Sequence, residues 1–352
     1  MVSHNHTAPV LSVLAALAIG IAGCGSSPTS AKPVNLAFVY TTKSQNFAME
    51  MAYGAKAAAS GLSGVNLIES APAESNSSLQ VQMFTSAELV SKDGIGLQTV
   101  TPTLLERSMS DAVAAGIPIV AVDGQPTPGS HVSLFVGNSN LELGEALGNE
   151  IAARIPASQS GEVVIGNPIP GLPVLDQRVN GIKKALAAKR PDITVQGQFD
   201  SKLKPDDNLK AWRDLVQSHP GALAYLGPGD QDAVSLAQIK SESRGRFLVG
   251  ACDLEPAALE GVKKGLVDVI VSPEHWLKGY IAIRLLADHA QHGTPLPAGW
   301  WNPGHLVITA ANVDPIIARQ RDESSRTAAF QAVIKEQFAN PSQFIRPLSE
   351  AS

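Results

Sequence analysis

The chain has 352 residues, 44% of them hydrophobic and 17% charged, a balance that fits a folded globular protein and excludes a disordered one. The formal net charge is −5 and no Lys/Arg-rich run is present, so nucleic acid is not an expected partner. With two cysteines and no CxxC or HExxH spacing, the chain offers no metal motif, and no cofactor is expected.

Residues 10–22 form an apolar stretch well short of the roughly 20 residues that cross a bilayer. The run Ile21-Ala22-Gly23-Cys24 closes it. It resembles the lipobox of bacterial lipoproteins, in which a small residue admits a signal peptidase and the following thiol is lipidated. The resemblance implies a signal peptide at 1–23 and lipidation at Cys24, with a membrane partner held through that anchor. His4, His6 and the α-amino group supply any positive charge ahead of the apolar stretch, because residues 1–23 hold no Lys or Arg. Residues 24–33, small and polar, read as a tether. With Cys24 lipidated, Cys252 is left without a partner and no disulfide is expected. It reads as a small buried side chain near a strand end.

From residue 34 the pattern alternates strand and helix. Short apolar runs at 34–40, 65–69, 94–100 and 117–122 read as strands, and 47–59, 79–90 and 104–115 as helices. The alternation resumes with strands at 132–136, 162–165, 193–196, 222–226, 247–251 and 267–271. Helices fall at 141–154, 175–188, 208–218, 230–240, 256–264 and 276–289, and a last strand at 305–309. Ser324 is a candidate N-cap for a C-terminal helix over 324–338. The expected fold class is α/β, with two doubly wound, Rossmann-like lobes built from parallel βαβ units.

Several segments, weak singly, are fairly specific in their order and spacing. They include Ser44-Gln-Asn-Phe47, the stretch ending Val-Ala-Val-Asp123, Gln177-Arg178-Val-Asn-Gly181, Val249-Gly-Ala-Cys-Asp253 and Leu306-Val-Ile-Thr. Over residues 34–315 the chain resembles the type I periplasmic binding proteins of ABC transporters, the ribose/galactose-binding group. The resemblance implies a hinged clamshell crossed three times, near Asn138, Ser272 and Ala310. One lobe is then 34–138 plus 273–309 and the other 139–272, with 310–352 as a C-terminal extension containing a helix.

Side chains just past strand C-termini are the natural ligand contacts in open α/β sheets. The resemblance selects Phe47, either a platform for a sugar ring or a core anchor of its helix. Gln45 and Asn46 are either hydroxyl partners or a turn and helix cap. Asp123 and Asp253 are carboxylates able to accept strong hydroxyl hydrogen bonds, Asp123 also reading as an Asp-Gly turn. Arg178 offers a guanidinium fork. Glu274 and Trp276 fall near the second crossing, Trp276 being either a second stacking wall or a core or hinge anchor. Gly124 stands where the ribose binders carry Arg, and Gly229 where the family often has Asn. Asp230 reads as a helix N-cap.

The expected function is capture of a small polyhydroxylated ligand, a sugar or sugar derivative, by clamshell closure and its delivery to an ABC permease. The expected place is the periplasmic or extracellular face of a membrane, and a monomer is expected. A ligand-sensing receptor feeding a signalling partner is the alternative. An exported enzyme using Cys252, Asp253 and His275 is a weaker rival, because no motif orders these residues.

Overall fold

The computed structural model describes Met1 and residues 32–351, so Cys24 and the expected signal segment lie outside the described residues. The body from Pro33 onward holds two sheets.

The chain first lays down β1 (Val34–Val39), α1 (Asn46–Ser60), β2 (Val65–Ser70), α2 (Ser77–Val90), β3 (Gly94–Gln98), α3 (Pro102–Ala114), β4 (Ile119–Val122) and β5 (Leu134–Val136). It then builds α4 (Asn140–Arg154), β6 (Gly161–Asn167), α5 (Pro173–Lys189), β7 (Ile193–Asp200), α6 (Pro205–Ser218), β8 (Ala224–Gly227), α7 (Asp230–Ser243), β9 (Leu248–Cys252), α8 (Pro256–Lys263) and β10 (Val269–Ser272). The remainder is α9 (His275–His292), β11 (Gly299–Trp301), β12 (Leu306–Ile308), α10 (Val313–Arg319), α11 (Glu323–Ala339) and β13 (Ile345–Arg346).

The first sheet runs β13-β11-β5-β4-β3-β1-β2 and the second β12-β10-β9-β8-β6-β7. Within them only the β10–β12 and β11–β13 pairs are antiparallel. Strands β3, β4, β8 and β10 are buried along their whole length, as parallel strands covered by helices on both faces must be. Side chains alternate between faces. Leu36 and Phe38 of β1 pack with Ala48 and Met51 of α1 and Ile281 of α9, whereas Ala37 and Val39 join Phe84, Leu105 and Met109 on the other face.

Glycines set two close helix crossings. A Cβ on Gly54 would lie 1.8 Å from the Trp276 carbonyl, and one on Gly279 1.8 Å from the Met51 carbonyl, so α1 and α9 touch backbone to backbone. Gly144 and Gly181 do the same for α4 and α5, with 1.9 Å to Arg178 O and 2.1 Å to Leu141 O. These two pairs carry Asn46, His275, Lys278, Asn140 and Arg178, polar side chains that meet between the sheets.

The chain passes between sheets after β5, after β10 and between β11 and β12. The third pass comes earlier than the expected Ala310. Leu306–Ile308 pairs with Val269–Ser272, so this strand belongs to the second sheet and not to the first lobe. The strand Gly299–Trp301 was not foreseen from sequence, since two adjacent tryptophans with Gly and Pro on either side give no period. The C-terminal segment passes once more: Val313 and Ile316 of α10 pack in the second lobe, and Phe330 of α11 in the first. Asp322, not Ser324, caps α11, accepting from Ser325 N at 2.7 Å.

Candidate functional site

A cleft with about 610 Å³ of empty space opens between the carboxyl ends of the two sheets. Among its lining residues are Gln45, Phe47, Asp123, Arg178, Asp230, Asp253 and His275.

The two carboxylates arise from matching local structure. Asp123 follows β4 and Asp253 follows β9, with φ of 66° and 71°. Asp is among the few residues that enter this left-handed region readily. Each donates its backbone N–H to the next strand, Asp123 to Val136 O at 2.9 Å and Asp253 to Val271 O at 3.1 Å. The turn reading and the cleft reading of Asp123 are therefore one arrangement: the kink that ends the strand aims the side chain into the gap.

Around them runs a continuous polar chain. Lys278 Nζ donates to Asp123 Oδ1 at 2.5 Å and lies 3.2 Å from His275 Nδ1. His275 Nε2 meets Asp253 Oδ1 at 2.9 Å, and Arg178 Nη1 donates to Asp253 Oδ2 at 2.8 Å. Arg178 also donates to Pro228 O at 2.8 Å and through Nε to Asn140 Oδ1 at 3.0 Å. The Lys278 ammonium can only donate, so His275 Nδ1 accepts and its proton sits on Nε2, aimed at Asp253. The imidazole is thus a neutral bridge from α9 of the first lobe to the second. A second bridge is the hydrogen bond from Asn46 Nδ2 to Leu254 O.

The electrostatics follow from this pairing. Burial by itself raises the Asp123 carboxyl and is the largest single influence, but Lys278, His275 and Arg178 together outweigh it and hold the group below the ordinary carboxylate range. At Asp253, burial is likewise overcome by Arg178 and the His275 hydrogen bond, and the group is held low. Burial and Lys278 both push His275 down, which keeps it neutral. Asp230 has no cation: burial and the Asp253 charge push its carboxyl up to about 7.

The structure brings Gln45, Phe47, Asp123, Arg178 and Asp253 to one cleft, with Asn46 bridging at its edge. It does not bring Glu274 or Trp276 there. Glu274 binds Arg319 of α10 through both oxygens, at 2.8 and 3.1 Å, and Ser272 Oγ at 2.7 Å. Trp276 is 1% exposed and stacks on Phe330 at 4.8 Å, its next-residue position placing it on the core side of α9. Asp230 is not the N-cap of α7. Gly229 holds that position, Asp232 takes its N–H at 3.1 Å, and Asp230 faces the cleft. Sequence reasoning missed Lys278 altogether and named His275 only for chemistry. The signal was the spacing His275-x-x-Lys278 at a helix start, which puts both on one face. Cys252 is wholly buried and its thiol is pushed up to about 12 by burial, the opposite of an activated nucleophile.

Two α/β lobes with a polar cleft at the strand ends define a ligand-binding clamshell protein. Residues 36–295 match the periplasmic binding protein domain, and the chain belongs to that family, a family of solute-binding proteins rather than enzymes. A curated relative, the xylose/arabinose-binding protein XylF of Sulfolobus acidocaldarius, is 25% identical over 258 residues, 67% of this chain and 61% of the relative. The match therefore spans about three fifths of that relative's length. Among solved structures, GanP of Geobacillus stearothermophilus, a glucose-galactose binding protein, aligns with a TM-score of 0.70 at 22% identity, over 80% of this chain and 99% of its own. A carbohydrate transporter solute-binding protein of Agrobacterium radiobacter in complex with D-arabinose aligns at 0.72 and 22%, over 82% and 98%. This chain shares the type I periplasmic binding protein fold with these solved structures.

Proposed function

We propose that the protein captures a small sugar between its lobes and hands it to an ABC permease from the outer face of a membrane, to which lipid on Cys24 tethers it. The observation that carries the reading is the mirrored pair Asp123 and Asp253, one per lobe, with Arg178 and Phe47 in the same cleft. Carboxylates accept hydroxyl hydrogen bonds more strongly than neutral groups do, and an aromatic face suits the C–H side of a sugar ring. The xylose/arabinose name of the archaeal relative and the D-arabinose in the Agrobacterium protein favour a pentose-sized ligand.

Gln45, Phe47, Asp123, Arg178 and Asp253 are the contacts we assign; Asn46 and His275 bridge the lobes. Ligand bound to both lobes has its full set of partners only in the closed form, so its differential affinity drives closure. The closed face is what a permease reads, and no chemistry on the ligand is involved. Isothermal calorimetry with pentoses, hexoses and polyols tests the proposal. Saturable heat with a member of the panel, lost in Asp123→Ala, is expected; silence across the panel removes the sugar assignment.

A further inference from the structure

The family match stops at residue 295, and α10 and α11 lie beyond it. The two helices sit on different lobes. Val313 and Ile316 seat α10 in the core of the second lobe, and Phe330 seats α11 in the core of the first. Three residues, 320–322, join them. At roughly 3.3–3.6 Å per residue these span at most about 11 Å. The pair is therefore a short fourth connection between lobes that already share three.

α10 is also fastened to the hinge. Glu274 stands between β10 and α9, at the second crossing, with φ of 52°. A residue other than glycine holds this left-handed conformation only where its surroundings impose it. Arg319, the last residue of α10, grips its side chain: the guanidinium donates to both Glu274 oxygens, at 2.8 and 3.1 Å. Ser272 Oγ donates to the same carboxylate at 2.7 Å and accepts from Glu274 N at 3.2 Å. Arg319 and Glu274 are both buried, so parting them leaves a charge without water or partner.

The first-lobe side is tied as closely. The Arg319 guanidinium lies 4.7 Å from the centre of the Phe330 ring, and Phe330 lies flat on Trp276, centroids 4.8 Å apart and planes 2° from parallel. Cation, ring and ring thus stack from α10 through α11 to α9. Arg326 of α11 donates to Gln320 Oε1 at 2.6 Å and meets buried Glu50 of α1 at 3.0 Å. The joint between α10 and α11 is cross-tied on both sides. Swinging the lobes apart slides one helix past the other and strains the Arg319–Glu274 pair, the Phe330 stack and the Gln320–Arg326 bond together.

We propose that the α10–α11 pair is a strap that limits how far the two lobes open. The ligand-free protein then samples a narrow range of lobe separations, and a ligand closes it from nearby. The strap acts whatever the ligand is.

Double electron–electron resonance on the full chain without sugar tests this. Spin labels are carried on ketone-bearing residues in place of exposed Ser78 and Asp207, which leaves both cysteines untouched. These positions lie in the first turns of α2 and α6, close in sequence to the cleft-lining Ser75 and Leu203, one on each lobe. The wild type is expected to give one narrow distance distribution. A Gly-Ser-Gly-Ser insert after Arg321 lengthens the joint and leaves every buried side chain in place. Glu274→Gln unfastens Arg319 from the hinge. Each change is expected to broaden the distribution toward longer distances; if Glu274→Gln fails to fold, the insert carries the test. A wild-type distribution as broad as that of the insert, or an insert as narrow as the wild type, overturns the proposal.

Discussion

Lys278→Met is the perturbation that bears most directly on how the cleft is built. Lys278 is 1% exposed, and its ammonium is the cation held against Asp123, at 2.5 Å. Methionine keeps the length of the stem and removes only the charge. Asp123 then stays buried without a cation, and breaking a buried ion pair from one side costs about 3–5 kcal/mol. Against a total stability of about 5–15 kcal/mol this is a large fraction. The deficit should depend on pH. Without the ammonium, burial is opposed only by the weaker influence of His275 and Arg178, and the folded pKa of Asp123 should rise above the unfolded value of about 3.9. The folded variant then holds more protons than the unfolded one, so its stability falls as pH rises above about 4. Urea denaturation at pH 5 and pH 7 should show the smaller deficit at pH 5. The double variant Asp123→Asn/Lys278→Met should cost much less than the two single changes added, because neither charge is then left alone. A loss below about 1 kcal/mol at pH 7, or strict additivity in the double variant, would refute the reasoning.

Asp230, with no cation and a carboxyl pushed up to about 7, makes the wild type lose stability as pH rises from about 4 to 7, and Asp230→Asn should flatten that decline in denaturation curves over the same range. Gly279→Ala puts a methyl group 1.8 Å from the Met51 carbonyl, forcing α1 from α9, and should cost about 1–3 kcal/mol or more by thermal or chemical unfolding. Cys252→Ser should leave sugar affinity within about twofold by calorimetry, since the thiol is buried in the core behind the cleft; a loss on the scale of the ~1.4 kcal/mol tenfold step would bring Cys252 into the site.

The fold was legible because parallel strands buried on both faces read as apolar runs: the runs at 34–40 and 117–122 contain the observed β1 and β4, and the run at 267–271 covers all of β10 but its last residue. The short β11 and β13 were not, because three- and two-residue strands carry no period. The cleft positions fixed by strand ends were also legible: Asp123 and Asp253 line the cleft where the alternation breaks. Glu274 and Trp276 were misplaced because a helix start turns about 100° per residue. One position separates His275, which faces the cleft, from Trp276, which faces the core. The partner of Glu274 is Arg319, 45 residues on, and the nearest cation to Asp123 is 155 residues away. Such pairings are made by the third dimension and leave no local pattern.

Crystallography of the complex with the tightest-binding sugar of the calorimetric panel is the most direct test of a ligand gripped between two lobes. The account predicts sugar hydroxyls within about 2.6–3.2 Å of both the Asp123 and Asp253 carboxylates, with a ring lying against Phe47. A sugar seated on the outer face of one lobe, for instance in the groove between Arg154 and Phe247, with the cleft empty, would contradict it.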